Sequence, residues 1–208
     1  MGITGLVWSG FVFMHMLGNL LIVAGPTAYN KYGHAMSTNP LIYAAEGLLA
    51  VTLLLHIVKG VALTIVNKRA RPHKYSMPTH GEKGARFQSK WMIFHGSLIF
   101  VFLILHLLKF KYGPGIGEGY VTTVEGVQMR DLYRLLFEVF HAPGYLAWYA
   151  IALLFVALHL SHGFYSSFAS LGFYHPKYSR LLNIAGYVYA FVVGLGFIVP
   201  PLYIFFAL

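Results

Sequence analysis

No cysteine occurs in the 208 residues. Disulfides, thiol catalysis and iron–sulfur clusters ligated by this chain are therefore excluded, and histidine, present 11 times, is left as the abundant soft-metal ligand. Charge is the second scarcity: 10% of residues are charged, against about 25% in an ordinary soluble domain. Acids are rarest, 6 Asp+Glu against 15 Lys+Arg, for a formal net charge of +9. The chain is 58% hydrophobic with a mean hydropathy of +0.65. In such a chain a basic excess points to membrane orientation and contact with anionic lipid. No RNA- or DNA-binding motif accompanies it, so nucleic acid is not expected as a partner.

Hydrophobic runs fill most of the rest. Five reach the roughly 20 residues that a bilayer requires, at 3–24, 41–66, 91–112, 145–172 and 181–208. A spanning segment must satisfy its own backbone, and these runs are too long for barrel strands, so all five are expected to be helices. The expected fold is all-α: one transmembrane domain, residues 1–208, built as a five-helix bundle. The first run lacks a basic leader and a small-residue cleavage site, and so reads as a span rather than a signal peptide. Its abrupt start leaves room for a short segment ahead of Met1.

Charge asymmetry sets the expected orientation. The connection 67–90 carries Lys68, Arg69, Arg71, Lys74, Lys83, Arg86 and Lys90 against Glu82, and 173–180 adds Lys177 and Arg180. Both are assigned to the cytoplasm by the positive-inside rule. The connection 111–143 holds Glu118, Glu125, Asp131 and Glu138 and is assigned to the outside. Five spans then place the N-terminus in the cytoplasm and the C-terminus outside. Within 128–140, Met129, Leu132, Leu136, Val139 and Phe140 are spaced to share one helical face, which suits either a surface-lying amphipathic helix or an ordinary packed one. Residues 25–40 have turn chemistry.

Four spans carry an interior histidine, a side chain for which hydrocarbon provides neither water nor a charge partner. Counted from the outer helix ends at about 1.5 Å per residue, His106 lies about 9 Å deep, His15 about 15 Å, and His56 and His159 about 22 Å. One histidine on each of four helices thus sorts into an outer pair, His15 with His106, and an inner pair, His56 with His159. Two histidines from facing helices at one level are the axial ligands of a low-spin b-type haem. His56 and His159 are each followed four residues later by Gly60 and Gly163, leaving room on that face for a flat macrocycle. A lone intramembrane histidine is as often a packing residue or a proton-path group. A proton relay would, however, call for several buried acids, and Glu46 is the one acid within a span. His95 and His162 are the rival ligands.

These residues resemble a known family, the dihaem, five-helix cytochrome b (b558-type) subunit of succinate dehydrogenases and fumarate reductases. The resemblance covers the whole chain. It rests on TGLVWSGFVFMHMLGNL in the first span, LLLHIVKG in the second, FLILHLLKF in the third and HLSHGFYSSFASLG in the fourth, and on the lengths of the connections. It implies haem iron ligands at His15, His56, His106 and His159. It further implies a multi-pass place in a bacterial or archaeal cytoplasmic membrane and two partners, an iron–sulfur subunit and a flavoprotein carrying FAD. Electrons would pass between the iron–sulfur subunit, the two haems b and menaquinone or another quinone. Position 95, where the family more often has a small or hydroxyl residue, departs from the pattern.

Further site residues follow from what such cofactors need. Haem propionates need cations or hydrogen-bond donors near the surface; Lys59, Lys90, Trp91 and His95 are named for the inner haem, with Arg86, Tyr165 and Ser166 as weaker candidates. Quinone proton exchange needs an ionisable group beside an apolar slot. Glu46 is the first choice, with Tyr43, Asn30 and Lys31 nearby. The chain has no arginine-rich pocket for a dicarboxylate, so that chemistry is expected on a partner. Rival readings are the cytochrome b subunit of a formate dehydrogenase or hydrogenase, and a haem-free transporter or anchor with a histidine proton path. In the last span Gly186, Gly194 and Gly196 are expected to pack closely, and Pro200 and Pro201 to bend its outer end.

Overall fold

The structure, a computed structural model, describes residues 1–70, 91–173 and 175–207. Five helices are long and apolar enough to cross a membrane, at Gly2–Ala24, Leu41–Arg69, Met92–Lys111, Pro143–Ser170 and Pro176–Ala207, so the five-span reading holds and the protein has the character of a multi-pass membrane protein. Lys90 and Arg86 lie outside the described residues.

The first span is α1 (Gly2–Leu20), which tightens into a 3₁₀ turn at Leu21–Ala24. It stops at Gly25, whose φ of +94° favours glycine, and Pro26 opens α2 (Pro26–Thr38) at the helix position where its missing N–H costs nothing. Residues 25–40, expected as a turn region, are therefore largely helical. α3 (Leu41–Arg69) follows, with Lys68 and Arg69 in its last turn against the negative end of the helix dipole. α4 (Met92–His106) continues as a π-helical turn, Leu107–Lys111.

A hairpin comes next, which an all-helical reading had no place for: β1 (Val121–Val124) pairs antiparallel with β2 (Val127–Arg130). Glu125 and Gly126, both at positive φ, make the two-residue turn. α5 (Leu132–Phe140) starts behind it, capped by Asp131, whose carboxylate accepts from the Arg134 N–H at 3.0 Å. The amphipathic segment is thus shorter than 128–140, with Met129 in a strand. Leu135, Leu136, Val139 and Phe140 are buried against protein rather than lying on a lipid surface. Finally α6 (Pro143–Ser170) and α7 (Pro176–Ala207) form the most extensive helix pair. Pro200 and Pro201 lie inside α7, which continues as helix through both.

α1 packs into the groove of α6 and α7, α4 packs on α6, and α3 touches mainly α1. Small residues permit these approaches. A Cβ on Gly196 would collide with Met16 Sδ, and one on Gly194 would meet the Ala157 Cβ at 3.2 Å, as the expected close packing of α7 requires. Gly2 and Gly5 likewise seat α1 against Ser170 and Ser167 of α6. α3 behaves differently. Over 29 residues it buries only Thr52, so one of the four histidine-bearing helices stands largely off the bundle.

The connection between α4 and α6 folds with α2 into a cap over one end of the bundle. Ile22, Tyr29, Leu135, Leu136, Val139, Phe140, Tyr149 and Ile204 form its core. Asn30, 1% exposed, gives its amide to Asp131 at 2.9 Å and accepts from the Tyr133 N–H at 2.9 Å, fastening α2 to the start of α5. Arg130 donates to the carbonyls of Phe110 and Pro114 at 2.8 Å and of Gly113 at 3.1 Å, satisfying acceptors that the end of α4 leaves unpaired.

Candidate haem sites

Four helices each bring one histidine to a partner. His15 on α1 and His106 at the end of α4 have ring centres 5.8 Å apart; His56 on α3 and His159 on α6 are 6.2 Å apart. These are the two pairs expected from depth counting. Among the described residues no three His, Asp or Glu side chains come together as a metal-binding group, so the histidines meet in twos. An imidazole nitrogen binds a transition metal at about 2.0–2.1 Å, which puts two imidazoles trans on one iron roughly 6 Å apart between ring centres. Both pairs match that spacing.

The inner pair sits between α1, α3, α4 and α6. His56 Nδ1 lies 3.2 Å from the Thr4 hydroxyl, which itself donates to the Met1 carbonyl at 2.9 Å. When the Thr4 proton goes to the Met1 carbonyl, the hydroxyl can accept from His56 Nδ1–H, the tautomer in which Nε2 keeps a lone pair. His159 Nδ1 is buried with no hydrogen-bond partner. The surroundings are open where a macrocycle needs room. A Cβ on Gly163 would meet nothing within 4 Å, one on Gly60 only the flexible end of Met1 at 3.5 Å, and one on Gly96 only His159 Cε1 at 3.7 Å. The histidine–glycine spacing seen in the sequence thus corresponds to space beside the inner pair.

The outer pair is enclosed by aromatics. His15 stacks on Phe11 at 5.3 Å and lies 5.9 Å from Phe197 of α7. His106 is flanked by Phe102 at 5.7 Å and Phe110 at 5.3 Å, and its Nδ1 is 3.1 Å from the Tyr149 hydroxyl. Gly18, three residues after His15, serves another purpose: a Cβ there would strike the Tyr32 ring. A shallow cavity of about 250 Å³ adjoins this region, lined by Leu105, Leu108, Lys109, Tyr145, Trp148 and Tyr149.

The remaining site residues disperse. His95 is 2% exposed, with its ring 5.5 Å from Phe155 and 6.5 Å from Phe94, and its Nδ1 has no hydrogen-bond partner. Together with Trp91, Phe94, Phe155 and Leu158 it lines a second shallow cavity of about 290 Å³. Trp91 caps α4 and packs edge-on against Phe94 at 5.9 Å. Lys59 is exposed, while His162, Tyr165 and Ser166 are half-buried. At the outer ends of α3 and α4, Glu46 forms an ion pair with Lys111. Tyr43 is exposed on the same helix. Asn30 and Lys31 do not join Glu46: Asn30 is buried in the cap, and Lys31 pairs with Glu125 at 2.9 Å.

Thr4, Gly5, Gly96 and Tyr149 were not singled out in the sequence. Thr4 and Gly5 stand in the TGLVWSG segment, but no linear spacing ties residue 4 to residue 56 or residue 106 to residue 149.

No known protein family, curated protein or solved structure matches the chain, so what it does has to be argued from its own residues.

Proposed function

We propose that this protein is the membrane-anchor cytochrome b subunit of a succinate dehydrogenase or fumarate reductase complex, carrying electrons between an iron–sulfur subunit and menaquinone or another quinone through two bis-histidine haems b. The observation that carries this reading is the meeting of four intramembrane histidines from four helices as two separate pairs at ligand spacing. Glycines beside the inner pair leave space for a flat macrocycle, and the poorly buried α3 leaves the bundle loosely filled where that pair lies.

Bound haem would supply one-electron chemistry, and the chain supplies position, ligation and local dielectric. His56 and His159 would hold the inner group, His15 and His106 the outer. The Thr4 hydroxyl, 3.2 Å from His56 Nδ1, would favour the tautomer that presents Nε2 by accepting from Nδ1–H. With both histidines of a pair holding it, each haem would serve electron transfer rather than oxygen binding. Ring centres stacked at two depths suit transfer across the bilayer, with the N-terminus and basic connections in the cytoplasm of a bacterium or archaeon. The succinate–fumarate reaction belongs to a flavoprotein partner carrying FAD, next to an iron–sulfur subunit. Glu46, ion-paired with Lys111, would exchange protons with quinone at the outer end.

Three measurements test the proposal. The protein purified with haem supplied during growth is expected to show a reduced α-band of the b type; its absence would refute haem binding and favour a haem-free anchor or transporter. Mass spectrometry of the copurifying chains is expected to find a flavoprotein and an iron–sulfur protein, whereas formate dehydrogenase or hydrogenase subunits would reassign the complex. Glu46→Gln is expected to slow quinone turnover with both haems retained, and full activity would remove Glu46 from the mechanism.

A further inference from the structure

Of the polar groups that contact the four histidines, one is a phenol buried in a purely aromatic nest. Tyr149 of α6 is 7% exposed. Its ring packs edge-on against Phe102 at 5.0 Å, Phe110 at 6.0 Å and Phe140 at 4.9 Å. Its hydroxyl lies 3.1 Å from His106 Nδ1. We propose that Tyr149 is a positioning residue for the outer haem: it accepts a hydrogen bond from His106 Nδ1–H, thereby orienting the imidazole and lowering the midpoint potential of that haem. The inference rests on the haem reading above.

The direction of the bond follows from valence. A neutral imidazole has one protonated nitrogen and one lone pair. If His106 ligates iron through Nε2, Nδ1 carries the proton and the phenol oxygen must accept it. The reverse bond, phenol to Nδ1, would leave Nε2 protonated and unable to ligate. An acceptor on Nδ1–H makes the ring a stronger electron donor to the metal, as outer partners of ligating histidines do generally, and a stronger donor favours the oxidised iron. Burial strengthens the effect, because the packed rings of Phe102, Phe110 and Phe140 lower the local dielectric around the bond. Rigid packing also fixes the hydroxyl, so the bond restrains the imidazole plane.

Tyr149→Phe removes the hydroxyl and keeps the ring. In a redox titration of the intact complex, the outer haem of this variant is expected to titrate at a higher midpoint than in the unaltered protein, with the highest g-value of its ferric electron paramagnetic resonance signal displaced. The inner haem is expected to be unchanged, since Tyr149 lies ten residues, about 15 Å, from His159 along α6. Phe140→Leu disturbs the same nest without touching a hydroxyl, and should leave the outer midpoint in place. Should Tyr149→Phe fail to accumulate, Tyr149→Met fills the site without a hydrogen-bonding hydroxyl and should show the same rise. An outer midpoint that stays or falls in either variant while both haems are bound overturns the proposal, as does an equal rise in Phe140→Leu. Failure of the haem reading is distinct, because it appears as a missing α-band in the unaltered protein.

Discussion

A buried imidazole in a membrane helix has to be satisfied by a neighbour or by a metal, because hydrocarbon offers it nothing. His56 and His106 each have a hydroxyl at Nδ1, His159 Nδ1 has none, and all three face or approach a partner ring. The pairs make a selective prediction: replacing His56 or His159 by Ala should remove the same inner haem, and replacing His15 or His106 the outer one, as counted by pyridine haemochrome and low-temperature spectra. His95 belongs to neither pair. It packs on Phe155 with its ring buried, and His95→Ala is expected to retain both haems. Loss of the inner haem in that variant, with retention in His56→Ala, would reverse the ligand assignment.

Among the elements, the outer cap is held by few and specific contacts. Asn30 spans α2 and α5 with two buried hydrogen bonds, one to the capping carboxylate Asp131 and one to the Tyr133 amide. Asn30→Leu leaves the Tyr133 N–H without its acceptor and Asp131 with only the Arg134 N–H; it is expected to destabilise the cap by about 1–3 kcal/mol, measured as faster amide exchange in α5 while α6 and α7 are unaffected. The cap is also expected to respond to pH. The Tyr120 hydroxyl, and then the Arg134 guanidinium, hold the Glu138 carboxyl below the usual value of 4.5. A depressed carboxyl contributes stability above its unfolded-state value and loses it as pH falls through the folded one. Glu138 is exposed, so the loss should be modest and salt-sensitive. At the alkaline end, burial and then Tyr32 push the Tyr29 phenol above its ordinary 10.0. Its contribution is full below that value and is lost as pH rises beyond it. Exchange in α2, α5 and the hairpin should therefore accelerate below about pH 4 and above about pH 10, with α6 and α7 as internal controls.

Across the whole molecule the open question is direction. Under the proposed orientation, which rests on the positive-inside rule, residues 176–180 are expected in the cytoplasm and the hairpin side outside. Because the chain has no cysteine, one introduced thiol is a unique label. Gly117→Cys, at a position where a Cβ meets nothing within 4 Å, is expected to react with an impermeant maleimide in intact cells, and Lys177→Cys only after permeabilisation. The opposite pattern would invert the topology. The same experiment bears on electron flow, since the inner pair lies toward the α1 start and the outer pair toward the cap.

Five spans, interior histidines on four of them and the pairing of one histidine from each by depth all follow from one-dimensional facts. Hydrophobic length fixes how far a helix crosses the bilayer, and 1.5 Å per residue converts position into level. The glycines of α7 were legible for the same reason, since a residue without a Cβ marks a close approach whichever helix makes it. What faces what at a given level is another matter, because helix rotation and neighbour choice depend on side chains far apart in the chain. That is why Thr4 beside His56, Tyr149 beside His106 and Gly18 beneath Tyr32 emerged only from the folded bundle, and why Asn30 and Lys31 proved to hold Asp131 and Glu125 rather than to surround Glu46. The hairpin was illegible for a related cause: β1 and β2 are four residues each, too short for a period-two pattern to stand out, and β2 packs on α2, a contact that no linear spacing announces. Sequence determined the levels of the histidines because depth is additive along a helix. Tertiary structure decided their partners because contacts are not.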